Sequence, residues 1–122
     1  MIGIKVKDPK EFGSNVNPMP VNPERYNEKN GPLVAFGSYI MIVQCPDTYV
    51  RHSQGTVVEC EGIRRIGYDC STESGSSGAP ILYNSEQDCI VVGVHTKYDN
   101  PLNYGSLLTK SFLDKLMDLN KL

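Results

Sequence analysis

The chain has 122 residues, of which 39% are hydrophobic and 21% charged, and its formal net charge is -2 at neutral pH. This length is typical of one domain with a modest core. Acidic and basic residues are mixed along the chain, so neither nucleic acid nor an anionic membrane is predicted as a partner. No apolar run approaches the length of a membrane span.

The first 32 residues predict a short strand followed by an extended linker. Ile2, Ile4 and Val6 alternate with polar or small residues, as they would in a strand. Residues 8–32 hold five prolines among many asparagines, and such a segment supports neither a helix nor a sheet ladder. Residues 1–8 lack the basic and apolar regions of a secretory signal.

From residue 33 onward the sequence predicts an all-β domain. Short runs of apolar and β-branched residues are bounded by Pro, Gly, Asp and Asn, and no helical pattern separates them. Six such runs indicate a small antiparallel barrel or sandwich. The predicted strands are Tyr39–Cys45, His52–Glu59, Ile63–Cys70, Pro80–Tyr83, Cys89–Thr96 and Tyr104–Leu108.

The C-terminal segment predicts a helix of about three turns. Thr109 is a candidate N-cap, and the helix should run from Lys110 to about Asn120. Apolar residues recur there at helical spacing, which predicts a stripe packed against the barrel. These residues are Phe112, Leu113, Leu116, Met117 and Leu119.

Four cysteines and two histidines are spread at spacings that do not indicate a metal site. A structural metal is therefore not predicted. Four cysteines allow three pairings, and the sequence does not choose among them. One or two disulfides are one alternative, and four reduced, buried thiols are the other. The cysteines are Cys45, Cys60, Cys70 and Cys89.

The segment 75–80, Gly-Ser-Ser-Gly-Ala-Pro, places a serine on a tight turn between two glycines. Gly75 can adopt backbone angles that other residues avoid, and Gly78 leaves room for a substrate, so the Ser77 hydroxyl would be presented at the surface. The amides of Gly75 and Ser77 could then stabilise an oxyanion. Ordinary flexible turns share this composition, and spacing alone does not separate the two interpretations.

Three motifs resemble the C-terminal barrel of chymotrypsin-like serine proteases, most closely the glutamyl endopeptidase branch. Residues 68–81 are similar to the family's nucleophile region, 91–96 to the strand beside its specificity pocket, and 103–108 to its last barrel strand. The resemblance implies a six-stranded antiparallel Greek-key barrel over residues 33–122, closed by the helix. Residues 1–32 would be a remnant strand and an inter-barrel linker.

The resemblance also implies a serine-type endopeptidase that acts through an acyl-enzyme without a cofactor. Ser77 would be the nucleophile, with the amides of Gly75 and Ser77 as the oxyanion hole. His95 and Thr72 match pocket residues of the glutamyl endopeptidases, which implies a preference for Glu or Asp before the cleaved bond. The alternative for His95 is a core histidine with a satisfied hydrogen bond, and Glu73 beside the pocket would repel an acidic substrate.

A serine nucleophile needs a general base, and that base usually needs an orienting carboxylate. In the family that this chain resembles, both groups come from the first barrel, and neither is recognisable here. His52 lies in a predicted strand outside any catalytic motif. The isolated chain is therefore expected to be inactive.

Three interpretations follow from the missing base. The chain is the C-terminal half of a two-barrel protease, or a half that docks a barrel on another chain, or a non-catalytic domain that binds peptides or partners in the old cleft. The predicted partners are a polypeptide substrate and the missing barrel. A secreted location follows only from the resemblance.

Overall fold

Six strands and one C-terminal helix make up the computed structural model, which describes residues 21–27, 29, 33–62, 64–84 and 88–121. β1 illustrates how a strand ends, because its apolar run stops shortly before the turn residues Pro46 and Asp47. The strands are β1 (Tyr39–Gln44), β2 (Arg51–Glu61), β3 (Arg65–Tyr68), β4 (Pro80–Asn84), β5 (Cys89–Asp99) and β6 (Leu102–Leu107), and the helix is α1 (Lys110–Asn120).

The six strands close into one antiparallel barrel in the order β1-β2-β3-β6-β5-β4, with β4 pairing back onto β1. Closure satisfies the backbone groups that an open sheet would leave at its edges. Consecutive strands are neighbours except β3 and β4, so the chain must cross one end of the barrel between them. The predicted all-β six-stranded antiparallel barrel with a C-terminal helix is confirmed, and its strand order is consistent with a Greek key.

Alternation along the strands directs every second side chain into the barrel. In β1, Ile40, Ile42 and Gln44 are buried, while the residues between them are more exposed. Complete burial of a side chain such as Ile42 contributes roughly 1.5–3 kcal/mol. The buried cluster comprises Val34, Ile40, Ile42, Val57, Ile66, Tyr68, Cys70, Ala79, Ile81, Ile90 and Val92.

Helix α1 begins and ends where the sequence predicts. The Thr109 hydroxyl accepts a hydrogen bond from the Phe112 amide at 3.2 Å, which confirms Thr109 as the N-cap. Leu113 is 5% exposed, whereas Met117 on the predicted stripe is 51% exposed. The apolar stripe is therefore only partly covered in the described structure.

One part of the predicted linker is folded. Pro23–Tyr26 form a 3-10 turn, in which the Asn22 side chain accepts from the Glu24 amide at 3.1 Å. Tyr26 is 6% exposed, and its hydroxyl donates to the Val91 carbonyl of β5. This turn differs from the extended chain that the prolines predict, because Tyr26 supplies an apolar ring that docks on the barrel. The strand predicted around Ile4 lies outside the described residues.

Strand boundaries differ from the predictions by a few residues. β3 is shorter than predicted and occupies only Arg65–Tyr68, while β5 continues past Thr96 to Asp99. The extension arises because Asp99 pairs with Leu102, which lengthens the β5-β6 hairpin beyond the apolar run. The apolar pattern of β5 ends before the hairpin, but its backbone pairing with β6 continues to Asp99.

All four cysteines carry free thiols in the structure. Cys70 is buried, and burial raises the pKa of its thiol to about 11. Cys45, Cys60 and Cys89 are exposed, so the alternative of four buried thiols is wrong for three of them. Among the described residues, no helix is both long enough and apolar enough to cross a membrane.

Candidate active site

The predicted nucleophile turn lies in the crossover from β3 to β4. Residues 69–79, here called the crossover loop, join two strands that are not neighbours in the barrel. The Ser76 amide donates to the Glu73 carbonyl at 3.2 Å, and the Ala79 amide donates to the Ser76 carbonyl at 3.0 Å. Two consecutive four-residue turns therefore build the segment that carries Ser77.

Each turn requires a glycine at its third position. Gly75 has φ +93° and Gly78 has φ +88°, which is the left-handed backbone that a type II turn needs at that position. A Cβ on Gly78 would meet no atom within 4 Å, so space lies open on that side of the turn. The glycines thus set the backbone path that leaves Ser77 at the tip.

The Ser77 side chain is exposed, and its hydroxyl donates to the Thr96 carbonyl at 3.0 Å. The two rival hydroxyls are placed differently. Ser74 is exposed, whereas Ser76 is 3% exposed and donates to the Gln44 side-chain oxygen at 2.6 Å. Of the two serines between the glycines, only Ser77 is presented to a substrate.

The backbone amides of the turn divide into two groups. Those of Ser76 and Gly78 donate to carbonyls, with Gly78 reaching the His95 carbonyl at 2.7 Å. Within the described part of the chain, the amides of Gly75 and Ser77 donate to no protein group. Backbone donors without an internal acceptor are what an oxyanion site requires, and these two are the predicted pair.

Gln44 holds the crossover loop from inside the barrel, and the sequence analysis did not identify it. Its side-chain oxygen accepts from the Glu73 amide at 3.0 Å and from the Ser76 hydroxyl, and its amide nitrogen donates to the Ser71 carbonyl at 3.2 Å. A glutamine that continues the inward alternation of Ile40 and Ile42 is the signal that could have found it.

His95 lies inside the barrel wall, with 4% of its surface exposed. Its Nδ1 is 2.6 Å from the hydroxyl of Tyr68, which is 0% exposed. Burial lowers the pKa of His95 and raises the pKa of Tyr68, so both groups are neutral at pH 7. The Nδ1 atom of His95 therefore has a hydrogen-bond partner inside the barrel.

The Tyr68 contact also decides which imidazole nitrogen carries the hydrogen. Among the described residues, Nδ1 is the only hydrogen-bond partner of the Tyr68 hydroxyl. The hydroxyl therefore donates its hydrogen to Nδ1, which accepts it. The neutral His95 ring then carries its hydrogen on Nε2, which has no partner among the described residues. A single unpaired N–H donor results.

Thr72, the second predicted pocket residue, is half-buried and forms no hydrogen bond with His95 in the described structure. Its hydroxyl donates to the Asn103 side-chain oxygen at 2.7 Å. Asn103 is 6% exposed and donates its own amide to the Cys70 carbonyl at 2.7 Å. Asn103 fixes both ends of the loop segment 70–72, and nothing in its sequence context indicates this role.

The negative charge of Glu73 is paired. Arg51 Nη1 lies 2.6 Å from the Glu73 carboxylate, and Arg51 Nη2 lies 3.1 Å from Asp47. The repulsion of an acidic substrate that Glu73 alone would cause is thereby reduced. Both carboxylates are about half exposed, so this contact adds little stability.

A groove of about 310 Å³ runs along one side of the crossover loop. The exposed Val50, with 74% of its surface accessible, forms part of its wall. The groove gives a peptide chain space beside the Ser77 hydroxyl. It is lined by Val43, Gln44, Cys45, Val50, Gly75, Ser76, Ser77, Gly78, Ala79 and Pro80.

A general base is not in contact with Ser77 within the described structure. The chain has two histidines, and the ring of His95 is engaged by Tyr68 rather than by Ser77. His52 is exposed on β2, opposite Val43. Among the described residues, no group of three or more His, Cys, Asp or Glu side chains is arranged to hold a metal ion.

Comparison of the chain with protein-family models and with curated proteins gave no match. The resemblance to chymotrypsin-like proteases therefore stays a prediction from the motif residues. The fold is shown to be a six-stranded barrel with a C-terminal helix, and the site within it is a serine-bearing crossover loop.

Proposed function

We propose that this chain supplies the nucleophile half of a serine-type endopeptidase. The observation that carries the proposal is the composition of the crossover loop, in which the Ser77 hydroxyl is exposed and the amides of Gly75 and Ser77 donate to no group among the described residues. A presented hydroxyl with donors for a developing negative charge is the minimum arrangement for acyl transfer.

In the proposed reaction, Ser77 Oγ attacks the carbonyl carbon of the scissile peptide bond while a base outside the described residues takes the hydroxyl proton. The carbonyl oxygen becomes negative and accepts hydrogen bonds from the Gly75 and Ser77 amides. The C–N bond then breaks, the proton passes to the leaving amine, and an ester on Ser77 remains. Water hydrolyses that ester in a second, equivalent step.

The proposed preference is for Glu or Asp before the cleaved bond. It is supported by the neutral imidazole of His95, whose free Nε2–H could donate to a substrate carboxylate. Pairing of Glu73 with Arg51 lowers the repulsion that an acidic substrate would meet. A panel of peptide esters that differ only at the residue before the ester bond, measured with imidazole as the added base, tests this point. Faster reaction of esters with Arg, Lys or large apolar residues there would contradict it.

A fluorophosphonate probe tests the nucleophile. The full chain should react slowly when alone, because Ser77 donates to a carbonyl rather than to a base. Added imidazole should accelerate labelling in proportion to its concentration, since a base in solution can reach an exposed hydroxyl. Ser77→Ala should abolish this labelling. Rapid labelling of the chain without any added base would contradict the proposal that the base comes from elsewhere.

The second candidate function is peptide or partner binding without hydrolysis. It is favoured by the same hydrogen bond from Ser77 to the Thr96 carbonyl, which satisfies the hydroxyl without activating it. The two functions differ in one outcome. Binding of acidic peptides with no phosphonate labelling at any imidazole concentration would favour the binding domain over the protease.

A further inference from the structure

Gln44 is the last residue of β1 and is 5% exposed. Its carboxamide makes three hydrogen bonds, and all three go to that loop. The partners fix its orientation, because the Glu73 amide can only donate and the Ser71 carbonyl can only accept. A side chain that is both a double acceptor and a donor is needed to make this set.

Two of the three bonds reach residues that lie close in sequence to the two amides assigned to the oxyanion site. Glu73 and Ser76 are the first and last residues of the turn that contains Gly75, and Gln44 Oε1 binds both of them. The Ser76 side chain is drawn into the barrel, and Ser76 is the residue between the Gly75 and Ser77 amides. The peptide unit that follows Ser76 carries the Ser77 N–H, so fixing Ser76 restrains that donor.

We propose that Gln44 is a positioning residue, which holds the Gly75 and Ser77 amides in the arrangement that an oxyanion needs. The inference rests on the proposed function for its catalytic meaning. The mechanical part, that Gln44 orders the crossover loop, can be measured in the full chain without any substrate. Preorganised donors are effective because they need no rearrangement as charge develops.

A matched control is available on β2, the strand that pairs with β1. Arg51 is the register partner of Gln44 and contacts the same loop residue, Glu73, through its carboxylate. That contact is exposed, and exposed ion pairs contribute little to order. Arg51→Gln therefore removes a contact to Glu73 without touching the buried hydrogen bonds.

The first experiment measures hydrogen-exchange protection factors of the Glu73 and Ser76 amides by NMR, in the wild-type chain and in Gln44→Leu. Protection at these amides should fall roughly tenfold or more, because three hydrogen bonds are lost. The barrel amides of β1 should keep theirs. In Arg51→Gln the loop amides should change little. Unchanged loop protection in a folded Gln44→Leu would overturn the inference.

The second variant, Gln44→Glu, keeps the inference testable if Gln44→Leu does not fold. Its protonated carboxyl can accept from Glu73 and donate to the Ser71 carbonyl, as the glutamine does. Its ionised form has no donor and places negative charge against that carbonyl. Loop protection should therefore be near wild type at low pH and fall as pH rises, before the barrel amides respond. Loss of loop and barrel protection together, or a pH-independent loop, would overturn the inference.

The catalytic part is read from acidic peptide esters with imidazole as the added base. The ratio of kcat in Gln44→Glu to kcat in the wild type should fall as pH rises, while KM stays nearly constant, since the oxyanion forms only in the transition state. Loss of a single oxyanion donor lowers kcat roughly 100- to 1,000-fold, which bounds the expected effect. Equal loss in kcat at all pH values would contradict positioning through the carboxamide.

The two proposals fail in different ways. If replacing Gln44 lowers the protection of the loop amides but Ser77 reacts in neither the wild type nor any variant, the protease function fails while the ordering by Gln44 stands. If Ser77 reacts but the loop amides ignore Gln44, the positioning role fails and the protease function stands.

Discussion

Replacing Tyr68 by phenylalanine should destabilise the barrel more than its small chemical change suggests. Tyr68 is 0% exposed and His95 is 4% exposed, and the removed hydroxyl lies 2.6 Å from the His95 Nδ1. The ring and its apolar contacts stay, so the change isolates one buried hydrogen bond. Leaving the buried Nδ1 without a donor should cost about 1–3 kcal/mol of unfolding free energy.

Urea denaturation followed by circular dichroism measures this free energy, with an unchanged slope confirming that the two states are the same. Tyr104→Phe is the matched control, because its hydroxyl donates to the exposed Glu59 at 2.9 Å. That control should cost about 0.5 kcal/mol or less. If Tyr68→Phe costs no more than Tyr104→Phe, the buried pair is not intact and the tautomer argued for His95 fails.

Three further outcomes are expected. Burial lowers the pKa of His95, so the unfolded chain binds the proton first and stability should fall as pH drops below about 6.5; the same pH dependence in His95→Gln would exclude His95 as its source. Gly93→Ala would place a Cβ against the Ser106 carbonyl oxygen of β6 and should lower the unfolding free energy by about 1–3 kcal/mol; a wild-type value in urea would show that β5 and β6 are farther apart. Thr109→Ala removes the acceptor of the Phe112 amide and should cost about 0.5–2 kcal/mol; no cost would place the helix start elsewhere.

Much of the barrel could be predicted from local sequence, because most of its strands contain a short apolar or β-branched run and turn residues lie between them. Helix α1 was predicted to the residue at its start, since Thr109 combines a cap with the apolar spacing that follows it. The 3-10 turn at Pro23–Tyr26 was not predicted, because its stability comes from Tyr26 docking on a strand 65 residues away. Pairing across that distance leaves no periodic signal.

The candidate site divides in the same way. The turn around Ser77 could be predicted, because two glycines with positive φ are a local requirement of the backbone. For Gln44 the alternation of β1 indicates only that the side chain points inward, and nothing local indicates the role of Asn103, because the loop partners of both residues lie 27 to 33 residues away. The ion pair of Glu73 could not be predicted either, because its partner Arg51 lies on β2, far from the crossover loop in sequence.

The most direct test of the central claim is the position of the phosphonate adduct after the full chain has reacted with a fluorophosphonate in the presence of imidazole. Peptide mapping by mass spectrometry distinguishes Ser77 from Ser74, an exposed serine of the same loop that serves as an internal control. We predict an adduct that accumulates at Ser77 and not at Ser74. Equal modification of the two serines, or none at Ser77, would contradict the account.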